Sequence, residues 1–171
     1  MVNRDRTHTV LRNSSPGQPD SFRHRAIRLL FKGPGALKSP VARWAVNLMA
    51  LGGAAMLVWS AVIHLMLWSD GYKDISVVGP LFLLQGIGAI VLALAVLVLR
   101  WLALLTAGAV TLVATAVGLL LSVHISLFGY SESLLVPYAE LSLWVEFAGA
   151  AVLAVAAATV LIAPSRSRSN P

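Results

Sequence analysis

Residues 77–128 read VVGPLFLLQGIGAIVLALAVLVLRWLALLTAGAVTLVATAVGLLLSVHISLF, and Arg100 is the one formal charge among them. How this stretch divides decides the fold. A bilayer core about 30 Å thick is crossed by roughly 20 apolar residues of helix, so the stretch holds enough for two crossings. A single helix through it would bury Arg100 in hydrocarbon, where a guanidinium is costly. A tight turn at Arg100 and Trp101 brings both residues to an interface instead. The spacing therefore predicts spans over about 77–99 and 101–128, the second longer than a bilayer requires and expected to tilt or project.

Two further apolar runs flank this pair. Residues 44–68, from Trp44 to Trp68, carry no formal charge, and residues 141–163 carry one, Glu146. Trp44, Trp68, Trp101, Tyr130, Tyr138 and Trp144 stand near the ends of the runs, where amphipathic rings favour the membrane interface. The expected fold is all-α, a four-helix transmembrane bundle with up-down topology and short connections. Composition agrees. Of 171 residues, 58% are hydrophobic and 12% charged, against about 45–50% and about 25% in a soluble domain. That excludes both an ordinary soluble globule and a disordered chain. With 0 Cys, disulfide scaffolds, zinc ribbons and thiol redox centres are excluded too.

The net charge of +6 is a matter of topology. Nine of the 13 Lys and Arg fall in residues 1–43, and Arg100, Arg166 and Arg168 share the same side if the N-terminus is cytoplasmic. Only Lys73 then lies outside, so the positive-inside bias places both termini in the cytoplasm. Clustering at span ends also argues against nucleic acid as a partner. The outer loops, about 69–76 and 129–140, carry Asp70, Asp74, Glu132 and Glu140 and are acidic. A basic segment of 43 residues before a long apolar run is not a cleavable signal peptide, and the inside charge count argues against a removable transit peptide.

Residues 1–43 form the N-terminal cytoplasmic tail and residues 164–171 a short C-terminal one. Residues 1–20 are poor in apolar side chains and expected to be disordered. Over 21–32, Ser21 can cap a helix, Phe22, Ala26, Leu29 and Leu30 recur at helical spacing, and Arg23, Arg25, Arg28 and Lys32 supply charge. This reads either as an interfacial amphipathic helix binding anionic lipid head groups or a partner, or as a flexible basic segment that serves topology alone. Gly33, Pro34 and Gly35 end it.

Small residues let helix backbones approach in lipid. Span one aligns Ala50, Gly53, Leu57, Ser60, Ala61 and His64 on one face, and span four aligns Ser142, Glu146, Gly149, Ala150, Leu153 and Ala157. Each stripe carries polar groups, as a bundle interior demands. Span two offers Gln85, Gly88, Ala89 and Val96, and span three Ala107, Thr111, Thr115, Gly118 and Ser122. His124 lies nearly opposite Ser122 on the helical wheel, so it either faces the interior, with the small stripe meeting a partner, or reaches for the interface.

The candidate intramembrane polar site comprises Glu146, His64, Gln85 and His124, at similar depth in the outer third of the membrane. Glu146 can relay a proton, bind a cation, pair with His64, or serve as a structural hydrogen-bonding group. His64 and His124 have the minimum arrangement for a b-type haem, and with Glu146 the ligand types for a metal; interhelical hydrogen bonding is the plainer reading of both histidines. Gly86-Ile87-Gly88 lacks the third glycine of a dinucleotide fingerprint, and neither a P-loop nor a nucleophile elbow appears.

Gly71-Tyr72-Lys73-Asp74-Ile75, Gly79-Pro80-Leu81-Phe82-Leu83-Leu84-Gln85, Leu127-Phe128-Gly129-Tyr130 with Glu132, and Glu146 together resemble a group of small four-pass membrane proteins of high-GC Gram-positive bacteria. The resemblance covers about residues 44–163. It implies a four-pass fold in a bacterial plasma membrane and carries no activity with it. The expected function is a non-enzymatic membrane protein, an accessory or interaction subunit of a membrane complex, as a homo-oligomer or within a larger assembly, with no cofactor or metal. Its rivals are a small oligomeric transporter or proton-coupled device using Glu146, and a haem-carrying electron-transfer subunit using His64 and His124.

Overall fold

A computed structural model describes residues 19–125 and 139–166. These form five helices: α1 (Pro19–Leu30), α2 (Pro40–Ser69), α3 (Val78–Leu99), α4 (Leu102–Ile125) and α5 (Ala139–Ile162). The last four are long and apolar enough to cross a membrane. The protein is an all-α multi-pass bundle.

The chain breaks at Arg100. Its backbone is left-handed, with φ 49°, and its N–H closes α3 on the Val96 carbonyl at 3.1 Å. Trp101 then starts α4, its carbonyl accepting from the N–H groups of Leu104 and Leu105. α2 starts four residues before Trp44, because Ser39 caps it by accepting from the Ala42 N–H at 3.3 Å and Pro40, which has no N–H to lose, occupies the first turn. α2 ends where the Asp70 N–H bonds the Met66 carbonyl and Gly71 turns the chain at φ 123°, a conformation that favours glycine. The following 3-10 turn, Tyr72–Asp74, folds onto the start of α3. Gly79 makes this approach possible, since a Cβ there would stand 2.7 Å from the Lys73 carbonyl oxygen. Tyr72 stacks on Phe82 at this end, 5.0 Å between ring centres.

α2 packs mainly on α3 and α5, and α4 mainly on α5, with a lighter α3–α4 seam. The helices pass in the order α3, α2, α5, α4, and glycines set the seams. A Cβ on Gly53 of α2 would overlap Leu153 of α5, and one on Gly149 of α5 would come within 2.7 Å of both Met56 and Leu112. The core runs along these seams through Ala50, Leu57, Leu112, Ala150, Leu153 and Val160.

Residues 31–38 belong to the bundle rather than to a tail. Leu37 is fully buried. Phe31 packs edge-on against Trp101 at 4.6 Å, and the Leu102 N–H, an orphan donor at the start of α4, bonds the Lys32 carbonyl at 2.8 Å. Beyond α5, the Lys38 N–H bonds the Pro164 carbonyl and the Arg166 N–H the Ala36 carbonyl, both at 2.9 Å. The segment is therefore a strap across one end of the bundle. α1 begins at Pro19, two residues earlier than expected, and its residues 22–30 are all exposed. Most of the stretch expected to be disordered, and the loop with Tyr130, Glu132 and Tyr138, lies outside the described residues.

Candidate functional site

The polar stripes of α2 and α5 face each other. Ala50, Gly53, Leu57, Ser60, Ala61 and His64 are buried, as are Ser142, Glu146, Gly149, Ala150, Leu153 and Ala157. Glu146 is completely inaccessible, seven residues into α5 and therefore about 10 Å below the helix start. Its Oε1 accepts two hydroxyl hydrogen bonds. Ser142, one turn earlier on α5, donates at 2.9 Å, and Ser60 donates across the seam from α2 at 3.4 Å. Its Oε2 is buried with no hydrogen-bond partner among the described residues. Both donors are serines because a short side chain lets the helices approach while still offering a hydroxyl.

His64 joins through the backbone. Its Nδ1 lies 2.8 Å from the Ser60 carbonyl oxygen, and since a carbonyl only accepts, Nδ1 carries the hydrogen. Its ring lies against Phe82 at 5.0 Å, which itself stacks on Tyr72. Ser60 thus holds Glu146 with its hydroxyl and His64 with its carbonyl, one towards α5 and the other one turn along α2.

The other two expected members are not brought in. Gln85 is partly buried on α3, across α2 from α5, and its Nε2 is buried without a partner among the described residues. His124 is exposed and its Nδ1 turns back to the Leu120 carbonyl at 2.7 Å. It reaches outward, not into the interior where His64 lies. The two imidazoles therefore do not face one interior cavity, and among the described residues no three His, Asp or Glu side chains are grouped to hold a metal.

On α4 the small-residue stripe is not the interior face. Ala107 is exposed and Thr111, Thr115, Gly118 and Ser122 are only partly buried, while Leu105, Gly108, Leu112 and Ala116 face the interior. The Thr115 hydroxyl donates to the Thr111 carbonyl at 2.8 Å, and Thr106 and Thr159 bond back in the same way. A threonine satisfied by its own helix needs no interhelical partner. On α3, Gly88 is likewise exposed, and Gly86 takes the seam against Leu65.

Sequence reading missed two features. Asn47 of α2 has a buried Oδ1 without a partner among the described residues, and as a lone amide in an apolar span it was visible as a polar interruption. The other is Lys32. Grouped with Arg23, Arg25 and Arg28 as a lipid- or partner-binding residue, it points its ammonium at the Leu161 and Ala163 carbonyls, 3.3 and 3.5 Å away. There it caps α5, where a cation complements the free carbonyls of a helix end.

On the outer surface of the bundle, α4 and α5 line an open groove of about 600 Å³, with Ala109, Val113 and Ala114 on one wall and Phe147, Ala151 and Ala154 on the other. No known protein family, curated protein or solved structure is detectably similar to the chain.

Proposed function

We propose that this protein is a non-enzymatic interaction subunit of a bacterial plasma-membrane complex, with both termini in the cytoplasm and the α4–α5 groove receiving a transmembrane helix of a partner subunit. The groove carries the reading. Its walls are largely alanine and valine, whereas the exposed face of α3 presents Leu81, Leu84, Ile87, Val91, Leu94 and Val98. Lipid tails gain nothing from small residues in preference to large ones. A second helix does, because close backbone approach is what drives association in the bilayer. The α1 helix supports the same role from the cytoplasmic surface. Its exposed Arg23, Arg25 and Arg28, with exposed Phe22, Leu29 and Leu30, suit anionic lipid head groups.

The cysteine-free chain makes the test clean. A benzophenone attached to Ala151→Cys, in the groove, should crosslink to protein in native membranes. The same group on Leu94→Cys, on the α3 face, should capture lipid. Lipid adducts alone from both positions overturn the reading.

The unpartnered oxygen of Glu146 favours a second reading, a small oligomeric proton-coupled transporter. In that case Glu146→Gln abolishes flux and leaves the fold intact; unchanged flux in the variant rejects it.

A further inference from the structure

We infer that Glu146 is a proton-binding site, neutral within the bundle, with its proton carried on Oε2. The geometry around the two carboxyl oxygens is unequal. Oε1 takes both serine hydroxyls, at 2.9 and 3.4 Å, as the carbonyl oxygen of a carboxylic acid does. Oε2 receives no donor from the described residues and is fully buried. An ionised carboxylate here would place half of its charge on a buried oxygen with no hydrogen-bond donor among the described residues, inside an apolar bundle.

The four spans supply no cation to neutralise it beyond Arg43, and Lys73 stands outside them on the Tyr72–Asp74 turn. Arg43 is the sole Lys or Arg within α2–α5, and it lies seventeen residues from Ser60, about 25 Å along α2. Of the elements packed against Glu146, α2 presents His64, held by the Ser60 carbonyl through Nδ1, and α4 carries only the exposed His124. On α5 itself the other ionisable group is Glu140, which is exposed. α3 has no ionisable residue. Among the described residues no three His, Asp or Glu groups gather for a metal. One negative charge requires one positive charge to be neutral, and a proton on Oε2 supplies it while Oε1 keeps both serine hydroxyls.

The site stands on the α2–α5 seam, away from the α4–α5 groove, and does not depend on the interaction-subunit reading. A proton held in this way makes the carboxyl reactive towards a hydrophobic carbodiimide: the acid proton passes to a carbodiimide nitrogen, the carboxyl oxygen adds to the central carbon, and the O-acylisourea so formed rearranges to a stable N-acylurea. Native membranes treated with dicyclohexylcarbodiimide near neutral pH should yield one adduct per chain, mapped to Glu146 by mass spectrometry and absent from Glu146→Gln. Infrared difference spectra of the purified wild-type and Glu146→Gln proteins should show a protonated-carboxyl stretch that the variant lacks and that shifts in heavy water. The wild-type labelling and its map stand even if the variant folds poorly. A carboxylate stretch in place of the acid stretch overturns the assignment. So does labelling that sodium ions suppress at fixed pH, because an alkali cation rather than a proton is then the ligand.

Discussion

The ammonium of Lys32 lies 3.3 Å from the carbonyl oxygen of Leu161, a residue 129 positions later in the chain. The contact ties the segment before the first span to the end of the last. Lys32→Met keeps the alkyl stem and removes the charge and the cap, so it should cost about 0.3–1 kcal/mol, the range for a cation at a helix C-terminus. The loss should appear as faster amide exchange in the last turn of α5, with exchange in the middle of α5 unchanged. Equal exchange throughout would show that the cap contributes nothing.

Leu37 tests the strap more severely. Its side chain is fully buried, and Leu37→Ala should destabilise the folded protein by about 2–4 kcal/mol, as cavity-creating changes in a packed core do. A residue in a free tail would show no effect. Thermal unfolding in mild detergent separates the two, with Leu30→Ala, an exposed α1 position, as the neutral control.

Two glycines of α3 should respond in opposite directions. Ala at Gly79 drives a methyl against the Lys73 and Tyr72 carbonyl oxygens, at 2.7 and 2.8 Å, and backbone cannot yield as a side chain can. Gly79→Ala should cost about 1–3 kcal/mol. At Gly88 a methyl meets no atom within 4 Å, so Gly88→Ala should gain about 0.5–1 kcal/mol from the lower flexibility of alanine in a helix. Paired denaturation curves decide it, and a Gly79→Ala protein as stable as wild type would show that the 72–74 turn is free to move.

These positions also show what the sequence could and could not yield. Arg100 divided the long apolar stretch because a charge inside hydrocarbon is too costly, and that one argument located two spans. The interiors of α2 and α5 were legible because Ser60, His64, Ser142 and Glu146 mark the face that must avoid lipid. α4 left its interior face open because Thr111 and Thr115 look like the same signal, yet a threonine hydroxyl satisfies itself on the carbonyl four residues back. α3 is apolar on every side but for Gln85, so Gly86 and Gly88 are indistinguishable until Leu65 takes its place beside one of them. The strap was invisible for another reason. Leu37 sits among Pro, Gly, Lys and Ser, with no periodicity, and only the bonds of its neighbours Lys38 and Ala36 to Pro164 and Arg166 give it a role.

Arg100 holds a left-handed conformation at φ 49° and ψ 30°, which costs a residue with a Cβ about 1 kcal/mol and a glycine almost nothing. Arg100→Gly should therefore preserve or raise thermal stability by up to about 1 kcal/mol, and Arg100→Val, with its β-branch, should lower it. Equal losses in both variants would show that the guanidinium, and not the backbone, is what the turn needs.

The two serines on Glu146 should differ in cost. Ser142 donates at 2.9 Å within α5, while Ser60 donates at 3.4 Å across the seam. Hydrogen bonds between membrane helices average about 0.6 kcal/mol, so Ser60→Ala should cost at most that, and Ser142→Ala about 1 kcal/mol because the shorter bond is lost from a buried acceptor. Oε1 keeps one donor in either single variant and has none in the double variant. The double loss should therefore exceed the sum of the single losses, with the excess read from a double-mutant cycle of denaturation free energies. Strict additivity would mean that the two hydroxyls do not share one oxygen. A double variant no worse than Ser142→Ala would mean that the 3.4 Å contact across the seam carries no energy, and that glycine-mediated packing at Gly53 and Gly149 alone holds α2 against α5.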